Sequence, residues 1–306
     1  MTDIKKYKKS KICLIGLGKV GSAVYHSLTN AGFVFSYIID KNKKKASEIT
    51  GNKKKVIIDF HLSKKSIENS DVFIIAVDEK NIPVIINKLS FFADVLKNKI
   101  IFHTSGIETS DAFLNTGVEK KYTGSFHPLQ TFNSISYNNN NILQNIYFGI
   151  EGGKFALKYL KNICKALGSK FIVIPKNKKI LYHSACVIAS NYLVTHFEIL
   201  SKITNNLTPA KKGIEIFEPI VKRTISNIFK EGAEKSLTGP FARGDVKTID
   251  MHLNYIKKNL PSQLYYYALL GLETVIMAKN GKHIDSKTAE KIEKLLLNKI
   301  INNNEI

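Results

Sequence analysis

The chain has 306 residues, 44% of them hydrophobic, which is enough to bury a sizeable core and to form about two domains. Its net charge of +21, from 46 Lys and Arg against 25 Asp and Glu, raises the question of a nucleic-acid partner. The lysines are spread along the whole sequence among Asn and Ile, without an arginine-rich arm, zinc-ligand spacing or aromatic RNA-binding signature, so they read as a solvated surface.

Cys13, Cys164 and Cys186 lie far apart and form no CxxC, which points to a reducing compartment without disulfides. The eight histidines make no HxxxH or HExxH pair, so no metal is expected. The basic segment Met1–Lys11 runs into a glycine-interrupted strand and not into an apolar signal core, and no apolar run reaches membrane-spanning length. A cytoplasmic protein with neither membrane nor nucleic-acid partner is the expectation.

Ile12 to Ile15 read as a buried parallel strand that enters Gly16-x-Gly18-x-x-Gly21, and a helical pattern follows through Val24, Leu28 and Ala31. In such a strand–turn–helix the first glycine permits the tight turn and the second lets the backbone approach a pyrophosphate. The third lets helix pack on strand, and the helix N-terminus supplies N–H groups to the phosphates. Gly16, Leu17, Gly18, Lys19, Val20 and Gly21 are therefore the expected dinucleotide-binding turn.

Phe33 to Ile39 reads as a second strand ending at Asp40, where an acidic residue accepts hydrogen bonds from the adenosine ribose. Lys41, Lys43, Lys44 and Lys45 follow at once and could hold a 2′-phosphate instead, so NAD and NADP both stay open, with a lean to NADP. Further strands are expected at Val56–Asp59 and Asp71–Val77, with Val77 at the cofactor, and Asp78–Asn81 starts a helix through Leu89. Lys99–Phe102 then breaks at His103-Thr104-Ser105-Gly106, and Lys121–Phe126 breaks at His127-Pro128-Leu129-Gln130.

Asn138–Asn141 reads as a surface loop. Ile146–Ile150, a helix over Lys154–Leu167 and Phe171–Ile174 complete a doubly wound sheet of about eight strands. Pro175 ends the strand pattern, and helical periodicity then runs from Lys176 to about Thr204, from Pro209 to Lys230 and beyond Asp245. The fold class is an α/β N-terminal doubly wound sheet followed by an all-α C-terminal domain, divided as residues 1–175 for the cofactor and 176–306 for substrate and dimerisation.

Ligands of open α/β sheets sit beyond the carboxyl ends of the strands. Thr104, Ser105, Gly106, His127 and Gln130 occupy such ends: Thr104 is placed with the cofactor and the rest with the substrate. On the helix from Lys178, at about 100° per residue, Lys179, His183 and Ser190 fall within roughly 40° of one another, and Asn191 lies further round. A lysine and a histidine there suit carbonyl reduction, in which negative charge grows on the oxygen and a proton must follow. The plainer reading leaves Lys179 a solvated lysine and His183 a satisfied core histidine. Arg243 could pair with a substrate carboxylate or make a structural ion pair; Asp245 beside it is placed with the substrate, as are Ser190 and Asn191, and is also a good helix N-cap.

HTSG at 103–106, HPLQTF at 127–132, LYHSACVIASNYLV at 181–194 and LTGPFARGD at 237–245 resemble the DUF2520 family over nearly the whole chain. The resemblance implies a Rossmann-like NAD(P)-binding oxidoreductase with a helical C-terminal domain. Its architecture is similar to that of the 6-phosphogluconate dehydrogenase-like group, which includes ketopantoate reductases, 3-hydroxyacid dehydrogenases and pyrroline-5-carboxylate reductases. In the hydroxyacid and ketopantoate enzymes a lysine, and an asparagine one helical turn later, face the carbonyl. By that likeness Lys179 takes the lysine role and His183 stands in the asparagine's place, which leaves the proton path between them open. Ser105 resembles the serine that positions substrate in the hydroxyacid enzymes.

The implied activity is reduction of a small 2-oxo acid, with ketopantoate to pantoate in pantothenate synthesis as the leading substrate. Cyclic-imine reduction of the pyrroline-5-carboxylate kind and a non-catalytic NAD(P)-binding regulator are the alternatives. The helical half is expected to pair into a homodimer.

Overall fold

The computed structural model describes residues 7–51, 57–59, 61–132, 142–205, 207 and 213–301. Eight strands form one sheet: β1 Lys11–Ile15, β2 Val34–Ile39, β3 Ile57–Asp59, β4 Val72–Ile75, β5 Ile100–His103, β6 Thr123–Pro128, β7 Tyr147–Gly152 and β8 Lys170–Val173. Their order is β3-β2-β1-β4-β5-β6-β7-β8.

The apolar runs are strands because both of their faces are buried. Ile12 and Leu14 of β1 and Val72 and Ile74 of β4 enter one core, where Val24 and Leu28 of helix α1 (Lys19–Asn30) cover them. The alternate residues Cys13, Ile15, Phe73 and Ile75 enter the opposite core, under Ile82, Ile86 and Leu89 of the helix Ile82–Ser90. Residues alternate between the faces because a strand has a period of two.

Every strand pair is parallel except β6·β7, which is antiparallel. Hydrophobic patterning fixes which residues are buried but not which way a strand runs. The reversal needs no crossover helix, in keeping with a connecting sequence whose Asn138–Asn141 run has no helical periodicity. That run, Val56 and the segment just after Pro209 lie outside the described residues.

The chain divides into two compact units, Met1–Asn191 and Tyr192–Ile306. The division falls later than residue 175 because the helix Lys179–Val187, α2 here, stays with the sheet: Lys179 hydrogen-bonds Ser125 and Tyr182 hydrogen-bonds His127. The single helix expected to Thr204 is broken by a π turn at Ile188–Tyr192 before helix α3, Leu193–Thr204, resumes.

The second unit is all helical, with Ile249, Leu253, Leu264, Val275, Ile292 and Leu296 in its core. The helix expected from Pro209 instead begins at Glu218, as α4 (Glu218–Glu231), after a 3-10 turn over Ile214–Phe217. Pro219 dictates that start, since proline is tolerated only in a first turn. No helix among the described residues is long and apolar enough to cross a membrane.

Candidate active site

At the end of β1 the glycine turn is closed by backbone. Gly16 has φ +91°, and a Cβ there would stand 2.6 Å from the Ala76 carbonyl oxygen and 2.7 Å from Val77 Cγ1. A Cβ at Gly21 would stand 2.1 Å from the Gly16 carbonyl oxygen. At Gly18, by contrast, a Cβ would meet nothing within 4 Å. Gly18 is the N-cap of α1 and no side chain caps that helix. Open space at an uncapped helix N-terminus is what a pyrophosphate requires, so the residues present fit a dinucleotide. Val77 lies against this turn.

Asp40 holds the turn in place. Its Oδ2 accepts the Leu17 N–H at 2.7 Å and its Oδ1 accepts the Asn42 N–H at 2.8 Å. Lys41, Lys43 and Lys44 are exposed just beyond it. A pocket of about 300 Å³ lies beyond β2, lined by Ile39, Leu62, Ile85 and Phe92 among others, apolar enough to take a flat ring.

The chemistry-bearing residues gather at the carboxyl ends of β5 and β6. Thr104 is buried and donates its N–H to the Ile75 carbonyl, next to the end of β4. The Ser105 hydroxyl donates to Glu79 Oε1 at 2.6 Å and accepts the N–H groups of Ile107 and Glu108, both at 3.1 Å. All of its hydrogen-bonding positions are taken, so Ser105 shapes the turn and has no position left for a substrate. The polar groups of this turn that remain open are then on the backbone of Gly106.

Lys179, the first residue of α2, is only 1% exposed. It is not a solvated lysine. Its Nζ donates to Ser125 Oγ at 2.6 Å and to the Ser105 carbonyl at 3.3 Å. Burial pushes its pKa down to about 8, against the pull of Glu151, Glu108 and Glu79.

The Ser105–Gly106 peptide is trans, so its N–H points away from the carbonyl that the ammonium grips. A cation on the carbonyl makes that N–H a stronger donor. Among the described residues this Gly106 N–H has no acceptor.

A Cβ on Gly106 would come within 2.8 Å of His183 Cδ2 and 3.0 Å of His127 Nε2. The two imidazoles therefore close around the glycine. His127 Nδ1 is hydrogen-bonded to the Tyr182 hydroxyl at 2.8 Å, and burial, then Lys179 and His183, push the His127 pKa down to about 4. His127, Gln130, His183, Ser190 and Asn191 line one cavity of about 380 Å³. Asn191 reaches it because the π turn, and not regular helix, carries residues 188–192.

The structure thus brings together Lys179, Gly106, His127, His183, Gln130, Ser190 and Asn191. Arg243 and Asp245 belong to the second unit. Asp245 there is an N-cap: it accepts the Thr248 N–H at 3.0 Å and the Thr248 hydroxyl at 2.7 Å, so its carboxylate is committed to the helix that follows. The sequence reading gave no role to Glu79, Ser125 and Glu151, which carry no local motif, or to Tyr182, which lies inside the 181–194 motif.

Residues 11–105 match the family described as NADP oxidoreductase, coenzyme F420-dependent. Sheet, turn and this match define the class: an NADP-dependent oxidoreductase. Residues 146–274 carry a DUF2520 domain, a domain of unknown function; the motifs at 181–194 and 237–245 lie inside this span, and those at 103–106 and 127–132 precede it. None of the curated proteins matches the chain.

Among solved structures, protein TM1727 of Thermotoga maritima is 24% identical, covering 89% of this chain and 99% of that one, with a TM-score of 0.69. The pyrroline carboxylate reductase of Plasmodium falciparum, solved with NADP bound, is 14% identical over 94% of this chain and 98% of its own, with a TM-score of 0.56. An imine reductase from Pseudomonas sp. is 14% identical over 96% of this chain and 95% of its own, with a TM-score of 0.55. At these identities the likeness is one of fold.

Proposed function

We propose that the protein uses NADPH to reduce the carbonyl of a small 2-oxo acid to a hydroxyl, with ketopantoate to pantoate as the specific substrate pair. The observation that carries this reading is the buried Lys179 ammonium bonded to the Ser105–Gly106 peptide at the strand ends. NADPH, when bound, supplies the hydride to the carbonyl carbon. The Gly106 N–H, polarised by Lys179, receives the substrate oxygen as negative charge grows on it. His183, which lines the cavity, delivers the proton to that oxygen. His127, uncharged, packs beside it, and the neutral polar groups of Gln130, Ser190 and Asn191 orient the carboxylate.

NADP is preferred over NAD in this reading because Asp40 is engaged by the turn while the exposed Lys41 and Lys44 beside it supply positive charge for a 2′-phosphate. The chain acts as a homodimer: helix α4 buries none of its residues and leaves Phe229 88% exposed.

One observation favours a second reading, reduction of a cyclic imine. Imidazoles line the cavity, while the Lys179 ammonium is already bonded within the protein. Steady-state oxidation of NADPH and NADH with ketopantoate, other 2-oxo acids and pyrroline-5-carboxylate separates the two. Ketopantoate turnover is expected, with Lys179→Ala lowering it by about 10²-fold or more. Imine turnover that survives Lys179→Ala establishes the second reading. NADPH binding without turnover of any substrate would make the protein a dinucleotide-binding regulator instead.

A further inference from the structure

Glu151 is a carboxylate only 3% exposed, and the reaction above leaves it unused. It stands on β7 directly across the antiparallel ladder from Ser125 of β6. Opposed residues of such a ladder project from the same face, with Cβ atoms about 5 Å apart. Ser125 is the residue whose hydroxyl sits 2.6 Å from the Lys179 ammonium. One buried hydroxyl therefore stands beside a buried cation and a buried anion.

The Glu151 carboxylate is clamped. Its Oε2 accepts the Ser110 N–H at 2.7 Å and its Oε1 accepts the Ser110 hydroxyl at 2.7 Å. Lys176 Nζ approaches Oε1 only to 4.0 Å and is bonded to Asp111 at 2.5 Å. We propose that Glu151 is a positioning residue whose negative charge keeps Lys179 an ammonium behind Gly106, and that Ser110 holds that charge in register.

An ammonium taken out of water loses its proton more readily unless a nearby anion opposes the loss. Of the groups that face Lys179, Glu151 resists the loss most, ahead of Glu108 and Glu79. His103 and His127 are themselves pushed down to about 4, so at neutral pH neither adds a repelling charge.

The inference rests on the reductase reading only for its kinetic consequence, so its primary test needs no substrate. The full-length protein, labelled with 13Cε-lysine, is titrated by NMR, with the Lys179 signal assigned by its loss in Lys179→Arg. Glu151→Gln is expected to lower the Lys179 midpoint by about one pH unit. Ser110→Ala removes the hydroxyl half of the clamp but keeps the backbone N–H bond and the charge, and is expected to lower Tm while moving the midpoint far less. Should Glu151→Gln not fold, Glu151→Ala combined with Ser110→Ala strands no hydroxyl and carries the same expected drop.

A midpoint that stays at its wild-type value in the charge-removing variants, with only Tm reduced, makes Glu151 a structural prop and overturns the proposal. Where substrate is turned over, the alkaline limb of kcat/KM should move with the NMR midpoint. A limb that stays while the midpoint moves would overturn the catalytic role of Lys179 and leave the electrostatic inference standing.

Discussion

Two glycine-bearing turns, at the ends of β1 and β5, are built on opposite principles. Around Gly16 and Gly21 the space a side chain would fill is occupied by main-chain carbonyls, which cannot yield. Around Gly106 it is occupied by the imidazole tips of His127 and His183, which rotate. The first turn is a fixed mould for a ligand common to many proteins. The second is an assembly of side chains drawn from distant segments, and in the proposed reaction it is the turn that meets the substrate.

Substitutions at the first turn should have the largest effects. Gly21→Ala forces a carbonyl out of place and is expected to cost about 3 kcal/mol of stability, at the upper end for overpacking, and to abolish NADPH binding by calorimetry. Gly18→Ala tests the same turn without the clash: Tm should hold while NADPH affinity falls by about tenfold or more. Equal losses of Tm in both variants would show that the open space at Gly18 is not the phosphate seat.

Gly106→Ala should act differently. It moves two rings by a few tenths of an ångström, so turnover is expected to fall by about tenfold while NADPH affinity is unchanged. A change in NADPH affinity instead would place the second turn in the cofactor site and erase the contrast.

The pH effects come last, and in both windows stability rises with pH, because each folded pKa lies below its unfolded value. His103 and His127 are held near 4 by burial, against an ordinary 6.5. The unfolded chain therefore takes up protons that the folded chain does not, and stability present above pH 6.5 should be lost as pH falls towards 4. Lys179 is held near 8 against an ordinary 10.5. Its buried charge burdens the fold below pH 8, so stability should rise from pH 8 towards 10.5 while any activity that needs the ammonium declines. Thermal unfolding and kcat/KM measured across pH 4 to 10.5 should cross in this way.

The same contrast explains what the sequence revealed. The first turn was readable because its demands fall on the backbone and only glycine meets them, at a spacing set by the strand–turn–helix itself. Lys179 and His183 were readable as neighbours because they are four residues apart on a regular helix. Ser190 was readable with them by the same arithmetic, whereas Asn191, placed further round, lines the same cavity through a π turn that regular helix does not contain. The roles of Glu79, Ser125, Tyr182 and Glu151 were invisible, even for Tyr182 inside a motif, because each acts through a partner 26 to 55 residues away. The unit boundary moved for a related reason: the lysine that opens the helical half is gripped by the sheet.

Asp40 ties Leu17 to Asn42 through both carboxylate oxygens. The cradle therefore keeps its shape whether or not a guest is in it, and little ordering is left for the guest to impose. It also means that residue 40 is a poor handle for redesigning cofactor choice. Exchanging it would slacken the mould itself, whereas the lysines immediately after it can be varied with the mould intact.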